Sequence, residues 1–261
     1  MNVAHRVAVV TGGASGIGRA FCRALAKAGA QVVVVDRDLE GAERTAAEIG
    51  AVAFRTDVSS SRELVALVAH VEQRVGPIDL FCSNAGIALG GGPETPDDEW
   101  ERIWDVNLMA HVRAARLVVP DMLRRGFGYL VNVASAAGLL TQIGSAPYAV
   151  TKHAAVAFAE WLAVSYGDRG LRVSCVCPLG VETPMLAGSD PAIRRLLEPD
   201  ALSAEQVADA MMAGIAREEF LILPHPVVRE HLRRKWDDNE RWLAGMRRLA
   251  ARLDSDVEVE S

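Results

Sequence analysis

Three residues, Ser135, Tyr148 and Lys152, have side chains and spacings suited to proton transfer. If Tyr148 opens a helix, Lys152 follows four residues on, on the same face and about 6 Å along the axis, so both side chains address one site. A free phenol with a pKa of about 10 is a poor acid or base at neutral pH and needs a neighbour that favours the phenolate. An ammonium does that, and the positive pole of a helix start adds to it. Ser145 suits the N-cap of such a helix and Pro147 its first turn, where a missing N–H costs nothing. Taken alone, a buried Tyr and a surface Lys that stand four apart account for the pair equally well. Ser135 tips the balance, because it follows an apolar strand, residues 127–133, and open α/β sheets bind ligands at the carboxyl ends of their strands.

The elements that must position this trio begin with a strand at residues 7–10 that runs into T-G-G-A-S-G-I-G, Thr11 to Gly18, and then a helix over 19–28. Strand, glycine loop and helix together make a pyrophosphate site: bare N–H groups at the helix start meet the phosphates, and glycines let them approach. The glycines stand at Gly12, Gly16 and Gly18, not at the G-x-G-x-x-G spacing, and a tight turn alone would also use them. A second strand, 31–35, ends at Asp36, where a carboxylate can accept both ribose hydroxyls of an adenosine or cap the following helix. Arg37 beside it could meet a 2′-phosphate, but Asp36 would repel one, and the carboxylate dominates.

The rhythm continues with a helix over 37–49, a strand over 52–55, Asp57-Val58, a helix over 60–75 and a strand over 78–82. Next comes Ser83-Asn84-Ala85-Gly86, in a glycine-rich loop running to Gly92 that either lies over a ligand or serves as loop punctuation. Strands alternating with helices in this way specify an α/β fold, a doubly wound parallel sheet with helices on both faces.

Composition narrows the class. The 261 residues, half of them hydrophobic, suffice for one large core, and one domain is expected. A formal charge of -6 and a pI near 5.6 leave no basic footprint for nucleic acid. No apolar run reaches the roughly 18 residues of a membrane span, and no signal-peptide pattern is expected at the start of the chain. Cys22, Cys82, Cys175 and Cys177 lie in or beside apolar segments without metal-ligand spacing, which reads as reduced core thiols, no metal and a cytoplasmic setting.

TGGASGIG, Asp36, Asp57-Val58, SNAG, Asn107 in DVNL, Ser135, and Tyr148 with Lys152 together resemble the short-chain dehydrogenase/reductase family in its non-extended branch, over residues 3–223. The resemblance implies a single Rossmann-type domain with a seven-stranded parallel sheet, assembled as a homotetramer or homodimer. It implies that Tyr148 is the general acid/base, that Lys152 lowers its pKa and holds the nicotinamide ribose, that Ser135 binds the substrate oxygen, and that Asn107 helps hold a relay water. Gly12, Gly16, Ile17 and Gly18 would line a dinucleotide, Asp36 its adenine ribose, Asp57 and Val58 its adenine, Asn84 and Gly86 its central part. Two departures are visible. The usual P-G-x-V-x-T after the sixth strand is Pro178-Leu179-Gly180-Val181-Glu182-Thr183, which keeps Val181 and Thr183 for the nicotinamide amide but moves the glycine. The usual N-N-A-G is S-N-A-G.

Asn107 falls within a helix expected over 96–125, where asparagine is unfavourable on propensity and wants a further reason. His111 and His153 read as structural. A substrate lid is expected over 184–199, then a helix over 203–216 and a last strand over 220–223. The catalytic domain thus spans 1–226. Residues 227–253 form an amphipathic helical extension, with one stripe through Val228, Leu232, Trp236, Leu243, Met246, Leu249 and Leu253, and 254–261 a disordered acidic tail. The stripe is expected to pack on a neighbouring subunit, with a membrane surface or its own subunit as alternatives. The expected activity is hydride transfer between NAD(H), preferred over NADP(H), and the carbinol or carbonyl carbon of an alcohol or ketone whose identity the sequence does not specify. A catalytically silent dinucleotide-binding regulator is the alternative from another class; epimerases and dehydratases of the extended branch have a longer substrate domain.

Overall fold

A computed structural model describes residues 1–258. In chain order, β1 (Val7–Thr11) leads into α1 (Gly16–Lys27), β2 (Gln31–Asp36) into α2 (Leu39–Ile49), β3 (Val52–Arg55) into α3 (Ser61–Arg74), and β4 (Leu80–Ser83) into α4 (Asp97–Trp104). A π-helical segment, Asp105–Met109, joins α4 to α5 (Ala110–Arg125). Then come β5 (Gly128–Val133), α6 (Ala137–Leu140), α7 (Ala146–Tyr166), β6 (Leu171–Val176), β7 (Val181–Glu182), α8 (Pro184–Ala187) and α9 (Pro191–Leu197). β8 (Leu202–Ser203), α10 (Ala204–Ala216), β9 (Leu221–Ile222), α11 (Val227–Asp237) and α12 (Asn239–Glu258) complete the described chain.

Seven strands form one parallel sheet in the order β3-β2-β1-β4-β5-β6-β9, the doubly wound Rossmann-type architecture expected from the sequence, and β7 pairs with β8 outside it. The strands are apolar on both faces. Val7, Val9, Val33 and Val35 join the core under α3, α5 and α7, while Ala8, Val10, Val32 and Val34 join the core under α1, α2 and α10. Period-two alternation with both sides buried is what central parallel strands require. The strand order reverses between β1 and β4, which opens a crevice at the carboxyl ends of these strands.

Several boundaries differ from expectation. α1 starts at Gly16, within the glycine run, so its first N–H groups lie beside the loop. β4 starts at Leu80 because Asp79 is engaged on both sides: Oδ2 accepts from Val7 N at 3.2 Å, and Oδ1 pairs with Arg125 at 3.0 Å. The helix expected over 96–125 widens into a π turn at Asn107. The C-terminal stripe is not one helix. The chain breaks at Asp238 (φ -154°, ψ 90°), whose Oδ1 accepts from Arg241 N at 2.9 Å to start α12. Short acidic and amide side chains favour such caps over helix interiors. Val228 is fully buried against Ala136 and Leu140, with Leu232 and Trp242 beside it, and Lys235 Nζ donates to the Leu139 carbonyl at 2.6 Å. The inner part of the extension therefore folds onto its own subunit. α12 continues helical to Glu258, past Leu253, where a disordered tail was expected; residues 259–261 lie outside the described residues.

Candidate active site

The loop between β1 and α1 has backbone that suits glycine. Gly12 and Gly16 have φ of +69° and +50°, in the left-handed region. A Cβ on Gly12 would stand 2.8 Å from Asn84 Nδ2 and 2.9 Å from Ala85 Cα, so the loop rests directly on the chain leaving β4. Ile17 lines the cleft above it; Gly18 does not, and a Cβ there would run into the Gly12 carbonyl. The first turn of α1 carries no acidic residue and Ser15 makes no side-chain cap bond, leaving its N–H groups to an anion.

Asn84 fastens this loop. Its Nδ2 donates to the Thr11 and Gly12 carbonyls at 2.8 and 3.3 Å, while Thr11 Oγ1 accepts from Asn84 N and Ala85 N at 3.0 and 3.1 Å. At the end of β2, the Asp36 oxygens accept from Ala14 N and Asp38 N, each at 3.1 Å, which fixes the carboxylate and leaves each oxygen a further lone pair. Asp36 does not cap α2; Asp38 does, accepting from Gly41 N at 3.1 Å. Asp57 Oδ1 accepts from the hydroxyl and N–H of Ser59 at 2.7 and 2.9 Å. The Ser59 hydroxyl first, then its N–H, Arg37 and Arg55, hold the Asp57 carboxyl below the usual range against the opposing effect of burial. Asp57 and Val58 line the cleft with Asp36. A fixed carboxylate, an anion-ready helix start and glycine backbone open to close approach fit a dinucleotide.

Ser135, Tyr148 and Lys152 share that cleft, which encloses about 390 Å³. β5 delivers Ser135 just past its carboxyl end, and α7 delivers Tyr148 and Lys152 one turn apart. Lys152 is buried; its Nζ donates to the Val133 carbonyl at 3.0 Å and lies 5.7 Å from the centre of the Tyr148 ring. Burial lowers its pKa to about 8. The phenol of Tyr148 is held above its ordinary value by burial, and its hydrogen bond with Ser135 pulls the other way. In this structure the partner that favours the phenolate is thus Ser135, while the ammonium is committed to a carbonyl. Ser145 stands at the N-cap position, but its hydroxyl donates to the Leu89 carbonyl and accepts no hydrogen bond from the helix N–H groups. That bond, with Gly91 N to the Gly144 carbonyl at 2.9 Å, ties the glycine-rich loop to the start of α7.

Asn107 is fully buried and does not line the cleft. Its Oδ1 accepts from Ile87 N and its Nδ2 donates to the Ile87 carbonyl, both at 2.9 Å, so it clamps the backbone just beyond Gly86. A Cβ on Gly86 would stand 3.3 Å from Asn107 Oδ1 and 3.5 Å from Lys152 Nζ, which makes Gly86 the spacer between them. His111 is buried, and burial first, then the Lys152 charge, lowers its pKa to about 3 against the opposing effect of the Asn132 amide. His153 Nδ1 meets the Ala149 carbonyl at 2.8 Å.

Val181 and Thr183 line the cleft opposite the glycine loop; Thr183 Cγ2 would stand 3.0 Å from a Cβ on Gly16. The displaced glycine has a reason, since a Cβ on Gly180 would strike the Leu197 carbonyl at the end of α9. Leu179 packs with the cluster around Val228, and its N–H donates to His225 Nδ1 at 3.1 Å. The sequence reading passed over Thr11 as a hub and the α6 turn, where Leu140, Thr141 and Gln142 line the cleft. Paired leucines in a nominal loop were the available signal for that turn.

A family model described as short chain dehydrogenase matches residues 6–193. The 1-deoxy-11-beta-hydroxypentalenate dehydrogenase of Streptomyces exfoliatus is 37% identical over 248 residues, covering 91% of this chain and 90% of that protein. The L-fucose dehydrogenase of Oryctolagus cuniculus is 34% identical over 206 residues, covering 77% and 72%. Among solved structures, a short chain dehydrogenase/reductase from Burkholderia phymatum in complex with NAD aligns with a TM-score of 0.85 at 30% identity, covering 92% of this chain and 96% of that one.

Proposed function

We propose, from the premise that the chain belongs to the short-chain dehydrogenase family, that it is an NAD(H)-dependent alcohol dehydrogenase or carbonyl reductase with Tyr148 as general acid/base. The observation that carries this is one cleft lined by the glycine loop, Asp36, Ser135, Tyr148 and Lys152. A bound nicotinamide would accept or donate the hydride. Ser135 orients the substrate oxygen and Tyr148 takes its proton during oxidation or returns one during reduction. Lys152, kept protonated at neutral pH, holds positive charge beside the phenol and offers its remaining donors to a ribose. Asn107 acts through Ile87 and Gly86 to keep the floor of the site in place.

The preference for NAD over NADP is supported by Asp36, whose fixed carboxylate would meet a 2′-phosphate with like charge. An alcohol panel followed by absorbance of reduced cofactor, with NAD and NADP in parallel, tests both parts. Asp36→Ala should erode the preference by roughly tenfold or more, since Arg37 then faces the phosphate unopposed. Equal kcat/KM with both cofactors in the unaltered protein contradicts the assignment. Four buried free cysteines support a cytoplasmic setting, and a homodimer or homotetramer is supported by the exposed apolar face of α7.

A further inference from the structure

Charged side chains are unevenly placed along the cleft. Asp36, Arg37 and Asp57 line the end beside β2 and β3, and Lys152 stands at the reaction centre with its Nζ bonded to Val133. Beyond Tyr148 the walls come from the α6 turn and from α8 and α9. No Asp, Glu, Lys, Arg or His is among the described residues that line this end. Leu140, Met185, Leu186 and Ile193 supply its surface, and the Ser189 hydroxyl is spent on the Met185 carbonyl at 2.9 Å.

The α6 wall is held in an unusual way. Thr141 has φ +81°, a conformation a β-branched residue adopts only under constraint. Behind it, Leu140 belongs to the cluster closed by Val228, and Lys235 donates to the Leu139 carbonyl at 2.6 Å. The C-terminal extension therefore supports the wall from outside, and the strained turn sets Gln142 against the cleft as a neutral hydrogen-bonding side chain.

Building on the alcohol dehydrogenase reading above, we propose that the substrate is an uncharged, largely apolar alcohol or ketone, with the Gln142 amide as a neutral polar anchor at this end. An ionised carboxylate or phosphate there would lose its water against leucine, isoleucine and methionine, with no cation among the described lining residues of this end to receive it.

The test compares tert-butylcyclohexanol with hydroxycyclohexanecarboxylate in the intact protein, by reduced-cofactor absorbance, and the corresponding ketone with the keto acid by melting-temperature shift in the presence of NADH. The neutral alcohol should exceed the acid by roughly a hundredfold in kcat/KM, and only the ketone should raise the melting temperature. Gln142→Arg should raise turnover of the acid by about tenfold or more. Comparable turnover of both alcohols, or a larger shift with the keto acid, overturns the uncharged substrate while leaving the dehydrogenase reading intact. Binding of the ketone without turnover of either alcohol upholds the apolar site and contradicts the dehydrogenase reading; binding of neither compound overturns the proposal.

Discussion

His111 illustrates how a residue outside the cleft can shape its electrostatics. It lies buried in the core, where a proton on it would be stripped of water and would also meet the charge of the Lys152 ammonium. Folding therefore holds it neutral, with a pKa of about 3 against about 6.5 in the unfolded chain. Below pH 6.5 the unfolded state binds a proton that the folded state refuses, so stability declines as pH falls from about 6.5 towards about 3, by about 2 kcal/mol at pH 5 from this residue alone. His111→Leu should flatten that part of the stability curve in denaturant titrations at pH 7 and pH 5; parallel losses in variant and parent would contradict it. Tyr148, Lys152 and Ser135 were legible in the sequence because their spacing on a helix and at a strand end is fixed by backbone geometry. The direction of the Tyr148 shift was not legible, since it depends on how deeply the folded chain encloses the phenol.

Elements with a strict period were readable, and those without one were not. β1 and β2 announce themselves as short valine-rich runs, and the glycines of the first loop follow β1 directly. The π turn at Asn107 carries no periodic signature; it exists because the Asn107 amide pairs with both backbone groups of Ile87 from another segment. The break at Asp238 was hidden because apolar residues on both sides continue one helical stripe across it. With α11 and α12 packed on the α6 turn, a chain ending at Pro226 should lose about 2–4 kcal/mol of stability, from uncovering Leu140 and Leu179 and losing the burial of Val228. Thermal melting at several dilutions reads this. Unchanged melting with a smaller sedimenting species would restore the expectation that the stripe joins subunits, for which Trp236, 80% exposed, is still available.

At the scale of the molecule, α7 ties the cleft to the outer surface. Its inner face buries Ala155, Ala159 and Leu162, while Val150, Trp161 and Val164 stand 46%, 55% and 87% exposed on the outer one. A helix apolar all round is normally buried on every side, and a second copy of this chain would cover the stripe isologously. The sequence reading placed assembly at the C-terminus because it sought a helix with one apolar face, a test that α7 does not meet. Trp161→Glu with Val164→Glu should reduce the sedimenting species towards a monomer; an unaltered species would exclude this face. The central claim is that one cleft holds a dinucleotide and moves a proton through Tyr148. Tyr148→Phe, assayed on one preparation for alcohol turnover and for quenching on dinucleotide binding, tests it most directly. The prediction is a loss of turnover of at least about a hundredfold with dinucleotide affinity nearly unchanged, and a Phe variant that kept most of its rate would contradict it.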